Sequence, residues 1–87
     1  MISRSYQIRI TRDAEKDIQR LPPKLRDKLY DILNEVIVKN PFQGKRLIGD
    51  LLGSYSYRLT YRDRIVYSID FKNRIIYIER AATHYGD

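Results

Sequence analysis

The sequence predicts an α+β domain in which two N-terminal helices pack on one face of a small antiparallel sheet, in the order β-α-α-β-β-β. Two observations support this prediction: an apolar period of 3.6 residues in the first half, and three short strand-like segments in the second. The 87 residues suffice for one compact domain, which we expect to span residues 1–87.

The first predicted strand covers residues 6–11, where apolar and polar residues alternate with a period of two. Thr11 is a suitable N-cap for a helix, and Asp13 and Glu15 would lie beside the positive end of its dipole. Pro22 and Pro23 end this helix and suit the first turn of the next one.

The second helix has the clearest pattern in the chain, a single apolar stripe with charged residues on the remaining face. The stripe consists of Leu25, Leu29, Ile32, Leu33, Val36 and Ile37. The polar face carries Lys24, Asp27, Lys28, Asp31, Glu35 and Lys39. Asn40 followed by Pro41 predicts the end of this helix.

Residues 42–54 hold three of the four glycines and predict a basic loop followed by a turn at Gly53. Three strands are then predicted at residues 57–61, 65–70 and 74–82. Their connections are short enough for hairpins, so we expect an antiparallel meander. The first strand could pair with any of these three strands.

The charge balance predicts an anionic partner, because 17 Lys and Arg residues against 11 Asp and Glu residues give a net charge of +6. Nucleic acid, an acidic protein and an anionic membrane surface are the candidates. The membrane is the weakest, since no apolar segment approaches the ~20 residues needed to span a bilayer. With no secretory signal, no Cys and one His, the sequence favours a cytoplasmic protein without disulfides, cofactor or metal site.

The candidate chemistry rests on cations interleaved with tyrosines, because rings can stack on RNA bases while guanidinium groups hold phosphates. Metal-free RNA cleavage needs little more, since the 2′-hydroxyl of the substrate is the nucleophile. The residues that we expect to bind substrate are Lys45, Arg46, Arg62 and Tyr61. Taken singly, such residues are usually solvated or packed, so composition alone leaves nuclease as one of several basic-protein functions.

The strand pattern also predicts which side chains share a face of the sheet. We expect Tyr61 to lie opposite Ile65 on the buried side. Arg58 and Arg62 would then face away from the core, with Arg64 at the edge of the same face. A shorter turn would place Arg64 and Arg58 on opposite faces.

Five segments occur in a characteristic order: Asn40-Pro41-Phe42-Gln43-Gly44, Leu47-Ile48-Gly49-Asp50-Leu51-Leu52-Gly53, Tyr57-Arg58-Leu59, Arg64-Ile65-Val66-Tyr67-Ser68-Ile69-Asp70 and Thr83-His84-Tyr85. Together they resemble the RelE/ParE toxin superfamily, with the closest likeness to its RelE, YoeB and YafQ ribonuclease branches. The resemblance covers most of the chain as one RelE-like domain.

This resemblance implies the toxin of a type II toxin–antitoxin system, an endoribonuclease (mRNA interferase) that cuts mRNA in the ribosomal A site. The expected products are a 2′,3′-cyclic phosphate and a 5′-hydroxyl, formed without metal. The implied partners are the ribosome, mRNA and a cognate antitoxin that blocks the toxin. Operator DNA would be bound only through the toxin–antitoxin complex.

Four residues take catalytic roles through the resemblance. Arg64 corresponds to the arginine that binds the scissile phosphate, and Arg58 to a basic residue that holds substrate phosphates. His84 resembles a histidine proposed to protonate the leaving 5′-oxygen, and Tyr85 a stacking or orienting tyrosine. The general base stays open, because Lys45 stands where YoeB-like members carry a glutamate and neither Asp50 nor Glu79 aligns with it.

Two other functions stay open at this point. A ParE-type toxin of the same fold would inhibit DNA gyrase without cutting RNA, although such chains generally lack the Arg and His-Tyr arrangement seen here. A non-catalytic nucleic-acid-binding domain would use its arginines only for phosphate contacts.

Overall fold

The computed structural model describes residues 6–47 and 53–83. Its regular elements are β1 (Gln7–Ile10), α1 (Arg12–Arg20), α2 (Pro23–Ile32), β2 (Lys45–Arg46), β3 (Ser54–Arg58), β4 (Asp63–Asp70) and β5 (Ile75–Thr83). A π-helical turn over Leu33–Ile37 continues α2, and a 3-10 turn spans Pro41–Gln43. The α+β class is confirmed. No helix within these residues is long and apolar enough to cross a membrane.

The five strands form one sheet in the order β1-β5-β4-β3-β2, and β3, β4 and β5 are the predicted antiparallel meander. The prediction of an entirely antiparallel sheet is wrong at one edge, because β1 runs parallel to β5 with Gln7 opposite Ile75. β1 leads directly into α1, and the amide of Thr11 at this junction donates to the Ile78 carbonyl oxygen at 3.1 Å. This contact joins β1 to the last strand.

The segment predicted as a basic loop contains a short strand. Lys45 and Arg46 form β2, which pairs antiparallel with β3 and places Lys45 opposite Ser56. β2 therefore becomes the second edge of the sheet. Since two residues give no visible period, the sequence pattern did not indicate this strand.

The register of β3 against β4 also differs from the prediction. Tyr57, rather than Tyr61, lies opposite Ile65, and β3 ends at Arg58. The Thr60 hydroxyl donates to the Asp63 carboxylate at 2.9 Å and accepts the Asp63 amide, also at 2.9 Å. These bonds fold residues 59–62 into a turn, which leaves Tyr61 83% exposed.

The core lies between the two helices and one face of the sheet, as predicted. Its helical side includes Ala14, Ile18, Leu29, Leu33 and Ile37, and its sheet side includes Leu59, Ile65, Tyr67, Ile76 and Ile78. All of these residues are at most 3% exposed. Thr11 caps α1 as predicted, because its side chain accepts the Ala14 amide at 3.1 Å.

Tyr67 connects the core to the segment before β2. Its hydroxyl donates to the Pro41 carbonyl oxygen at 2.6 Å and accepts the Gly44 amide at 3.0 Å. Burial raises the pKa of this phenol to about 12, so the hydroxyl keeps its proton at neutral pH. A Cβ at Gly44 would clash with the Tyr67 hydroxyl and lie 2.8 Å from the Ser56 carbonyl oxygen. Glycine is thus required at this position, because a side chain would collide with the Tyr67 hydroxyl and the backbone of Ser56.

Asp17 connects α1 to β5. Its buried carboxylate accepts Arg80 Nε at 2.7 Å, Arg80 Nη2 at 3.2 Å and the Ala81 amide at 3.0 Å. Burial alone would raise the pKa of Asp17, but these hydrogen bonds and the charges of Arg80 and Arg20 together lower it below its ordinary value of 3.8. Glu79 is the extra residue of a β-bulge just before this contact.

The Tyr67 hydrogen bonds predict a measurable stability loss. Tyr67→Phe leaves a buried carbonyl oxygen and an amide without partners, so we expect the free energy of unfolding to fall by about 1–3 kcal/mol. Urea denaturation followed by circular dichroism measures this change. Tyr77→Phe, on an exposed ring, is the matched control and should change stability little. Equal effects of the two substitutions would contradict the role given to Tyr67.

The lowered pKa of Asp17 predicts a pH-dependent contribution to stability. Because the folded pKa lies below the unfolded one, the stabilisation is complete above about pH 4 and is lost as the pH falls through the folded pKa. Asp17→Asn should therefore destabilise the fold by about 2 kcal/mol at pH 7, with a smaller difference from the unchanged chain in acid. Asp27→Asn, on the exposed face of α2, is the control for charge removal. A difference that stays constant down to pH 2 would contradict this account.

Candidate functional site

The open face of the sheet, opposite the helices, carries the candidate site. Because successive residues of a strand point to opposite faces, the packing of Tyr57 and Ile65 against the core turns Arg58 and Arg64 outward. These two arginines lie directly opposite each other on β3 and β4. Like charges placed opposite each other weaken a sheet, so this pair costs stability unless an anion lies between them.

Lys45 adds a third cation to the pair. It lies opposite Ser56 on β2, and Ser56 shares the outward side of β3 with Arg58. Lys45, Ser56, Arg58 and Arg64 line a depression of about 150 Å³, which we call the cationic depression. No carboxylate within residues 6–47 and 53–83 forms an ion pair with these three cations. Since one water occupies about 30 Å³ in the liquid, the depression has room for a phosphate-sized anion.

A second, larger depression of about 540 Å³ begins at the cationic depression and extends along the β2–β3 edge. The two share Lys45, Ser56 and Arg58. Its lining also includes Lys28 of α2, Tyr57 and Tyr61. We call this depression the edge groove.

The structure brings four of the predicted residues together: Arg64, Arg58 and Lys45 in the cationic depression, and Tyr61 beside them in the edge groove. Arg46 does not join them. It lies opposite Tyr55, which is on the core side of β3, so Arg46 is not on the outward side with Arg58. His84 and Tyr85 lie outside the described residues.

The expectation that Arg62 faces the same way as Arg58 is wrong. Arg62 lines a separate depression of about 410 Å³ on the helix side, together with Asp17, Arg20 and Leu25. The Thr60–Asp63 turn is the reason, because it ends the strand alternation at Arg58 and directs Arg62 toward α1.

Lys28 is a site residue that the sequence reasoning missed. The helical period places it on the polar face of α2, where a lysine is ordinarily solvated. Its position beside Lys45 and Arg58 depends on how α2 packs against the sheet edge. No local sequence signal could have indicated this.

Acidic residues also lie near the open face. Glu79 accepts the Ser68 hydroxyl at 2.8 Å, and Ser68 lies on the outward side of β4 with Arg64. Asp50, the other acid near the site in sequence, is outside the described residues. Within the part of the chain that the structure describes, no three His, Cys, Asp or Glu side chains are grouped so that they could hold a metal ion.

Comparison with known proteins identifies the family. Residues 8–86 match the ParE-like toxins of type II bacterial toxin–antitoxin systems. The chain is 36% identical to Toxin RelE of Mycobacterium tuberculosis over 85 residues, which cover 92% of this chain and 86% of that protein.

Solved structures agree with this assignment. The toxin–antitoxin complex RelBE2 of M. tuberculosis contains a chain with a TM-score of 0.83 and 27% identity, with coverage of 92% of this chain and 99% of that one. The YoeB–YefM complex of Staphylococcus aureus gives a TM-score of 0.75 and 25% identity, with coverage of 92% and 98%. The chain therefore belongs to the ParE-like toxins of type II toxin–antitoxin systems, within the RelE/ParE superfamily.

Proposed function

We propose that this toxin is a ribosome-dependent endoribonuclease that cleaves mRNA in the ribosomal A site. The observation that carries the proposal is the cationic depression, where Arg58 and Arg64 face each other beside Lys45 without a carboxylate partner among the described residues. An RNA phosphate is the anion that such an arrangement fits best, because its charge relieves the repulsion between the two guanidinium groups.

The proposed reaction is an internal transfer at phosphorus. The ribose 2′-oxygen forms a bond to the adjacent phosphorus and the bond to the 5′-oxygen breaks, which gives a 2′,3′-cyclic phosphate and a 5′-hydroxyl end. The 2′-hydroxyl passes one proton to solvent water, and the leaving 5′-oxygen gains one from the protein. Arg58 and Arg64 stabilise the extra negative charge on the non-bridging oxygens during this step. His84 is proposed to supply the proton to the 5′-oxygen, and Tyr85 to orient the substrate.

Tyr61 supports an RNA substrate. Tyr61 is 83% exposed and lines the edge groove together with Lys45 and Arg58. An exposed aromatic ring next to phosphate-binding cations is an arrangement that stacks an unpaired base. The A site presents such unpaired bases as a codon.

A cognate antitoxin is the proposed regulatory partner. The RelBE2 and YoeB–YefM relatives were solved as toxin–antitoxin complexes. We propose that an acidic segment of the antitoxin of this chain covers the cationic depression, because charge complementarity would both speed association and exclude mRNA. Operator DNA would be bound only by the toxin–antitoxin complex, and an action on ribosomes implies the cytoplasm.

Removal of either opposed arginine should slow cleavage strongly. We expect Arg58→Ala and Arg64→Ala each to lower the rate on translating ribosomes about 10²- to 10³-fold, the usual effect of deleting one transition-state charge contact. Mapping of 5′-hydroxyl ends on a defined mRNA measures the rate and the codon phase of the cuts. Arg12→Ala, an exposed arginine at the start of α1, is the control.

The same assay separates the alternatives. Codon-phased cuts by the unchanged chain that persist in both arginine variants would show that the assigned site is wrong. Gyrase-dependent DNA damage without RNA cuts would instead identify a ParE-type gyrase inhibitor. Ribosome or RNA binding without either activity would identify a non-catalytic nucleic-acid-binding domain.

The role of His84 predicts a specific rescue. His84→Gln should slow cleavage of ordinary mRNA by about 10²-fold, because general acid catalysis is lost. An mRNA with sulfur in place of the scissile 5′-oxygen has a leaving group that needs no protonation, so it should be cleaved by His84→Gln nearly as fast as by the unchanged chain. A variant that is equally slow on both substrates would contradict proton transfer by His84.

A further inference from the structure

We propose that the edge groove is a second nucleic-acid site, which binds the single-stranded nucleotides flanking the cleaved position and uses Lys28 and Tyr61 as contact residues. This inference rests on the proposed function, because it continues the path of an RNA strand held in the cationic depression. It assigns substrate binding to α2, for which the sequence pattern predicted only a packing role.

The first argument is continuity. The edge groove and the cationic depression share Lys45, Ser56 and Arg58, so the two adjoin and a chain bound at one can continue into the other. The edge groove is the larger of the two, at about 540 Å³ against about 150 Å³. A polymer that fills the smaller depression with one phosphate therefore has room to continue toward α2.

The second argument is charge. Lys45 and Arg58 line the edge groove from the sheet and Lys28 lines it from α2, and the lining residues that the structure describes include no Asp or Glu. Lys28 is exposed and forms no ion pair within residues 6–47 and 53–83. Cations spaced along a groove follow the phosphates of a single strand.

The third argument decides between RNA and an acidic protein segment. Tyr61 presents an 83% exposed ring to the groove, and Tyr57 is partly exposed beside it. Leu59, the aliphatic side chain among the described lining residues, is only 1% exposed. Protein interfaces need an apolar centre, whereas bases need ring faces between cations, so the groove fits RNA better.

The test compares the binding of two RNA oligonucleotides, one of 3 nucleotides and one of about 8 nucleotides. The longer one has a length within the site sizes of single-strand grooves. Each carries 2′-O-methyl groups that prevent cleavage, and affinity is measured by fluorescence anisotropy at low salt. The unchanged chain should bind the longer strand more tightly. Lys28→Glu and Tyr61→Ala should each reduce this advantage by roughly tenfold, the scale of one stacked base. For the longer strand, Lys28→Glu should also reduce the slope of the logarithm of the binding constant against the logarithm of the salt concentration by about 0.7 in magnitude.

Lys24→Glu is the matched control, because it reverses the same charge on the same helix outside the groove lining. Thermal melts of all variants check that they fold. Equal losses for Lys24→Glu and Lys28→Glu, or no advantage of the longer strand in the unchanged chain, would overturn the inference. Codon-phased cleavage that depends on Arg58 and Arg64 would leave the proposed function standing in either case.

A competition with poly-glutamate separates the two classes of partner. RNA binding in the groove predicts that Tyr61→Ala weakens the affinity for the longer RNA but not for poly-glutamate, because only bases stack on the ring. A larger effect of Lys28→Glu on poly-glutamate than on RNA, with no effect of Tyr61→Ala on RNA, would assign the groove to an acidic protein segment instead.

Discussion

The pairing of β3 with β4 is the constraint on which the site depends. On the core side, Tyr57 packs opposite Ile65, while Tyr55 and Tyr67 stack with ring centroids 5.7 Å apart. These buried pairs fix the register, and the strand alternation then forces Arg58 and Arg64 together on the open face. A slip by one residue would bury one arginine and separate the pair. The energy that holds two like charges together is thus supplied by apolar burial on the other side of the sheet.

The turn after β3 completes this arrangement. Thr60 and Asp63 hydrogen bond to each other, and Asp63 is only 7% exposed. The turn ends β3 directly after Arg58, exposes Tyr61 toward the edge groove and directs Arg62 toward α1. Tyr67 positions the segment before β2 in a similar way. Its bonds to Pro41 and Gly44 bring Lys45 to the sheet edge. The same buried tyrosine therefore serves both the core and the cationic depression.

The sequence predicted the features that rest on local periodicity. Both helices, the Thr11 cap and the meander of β3, β4 and β5 follow from apolar spacing and turn residues, and they are confirmed. The outward direction of Arg58 was also predicted, since it follows from alternation alone. The family resemblance is confirmed by the family matches, and the phosphate-binding role that it implies for Arg64 stays a prediction.

The features that the sequence did not indicate depend on contacts between distant residues. The parallel pairing of β1 with β5 joins residues 68 positions apart, and the bond from Thr11 to the Ile78 carbonyl joins residues 67 positions apart. The approach of Lys45 to the sheet depends on Tyr67 and Gly44, which are 23 positions apart. Lys28 reaches the edge groove only through the packing of α2. None of these contacts has a periodic signature, so only the folded chain shows them.

The most direct test of the cationic depression is an NMR titration of the arginine Nε–H groups with a 2′-O-methylated RNA trinucleotide. The account predicts that the Arg58 and Arg64 signals shift together on one saturation curve, while Arg20, on the helix side, stays unchanged. Shifts at Arg20 and Arg62 with Arg58 and Arg64 unaffected would place the RNA in the helix-side depression and contradict the account.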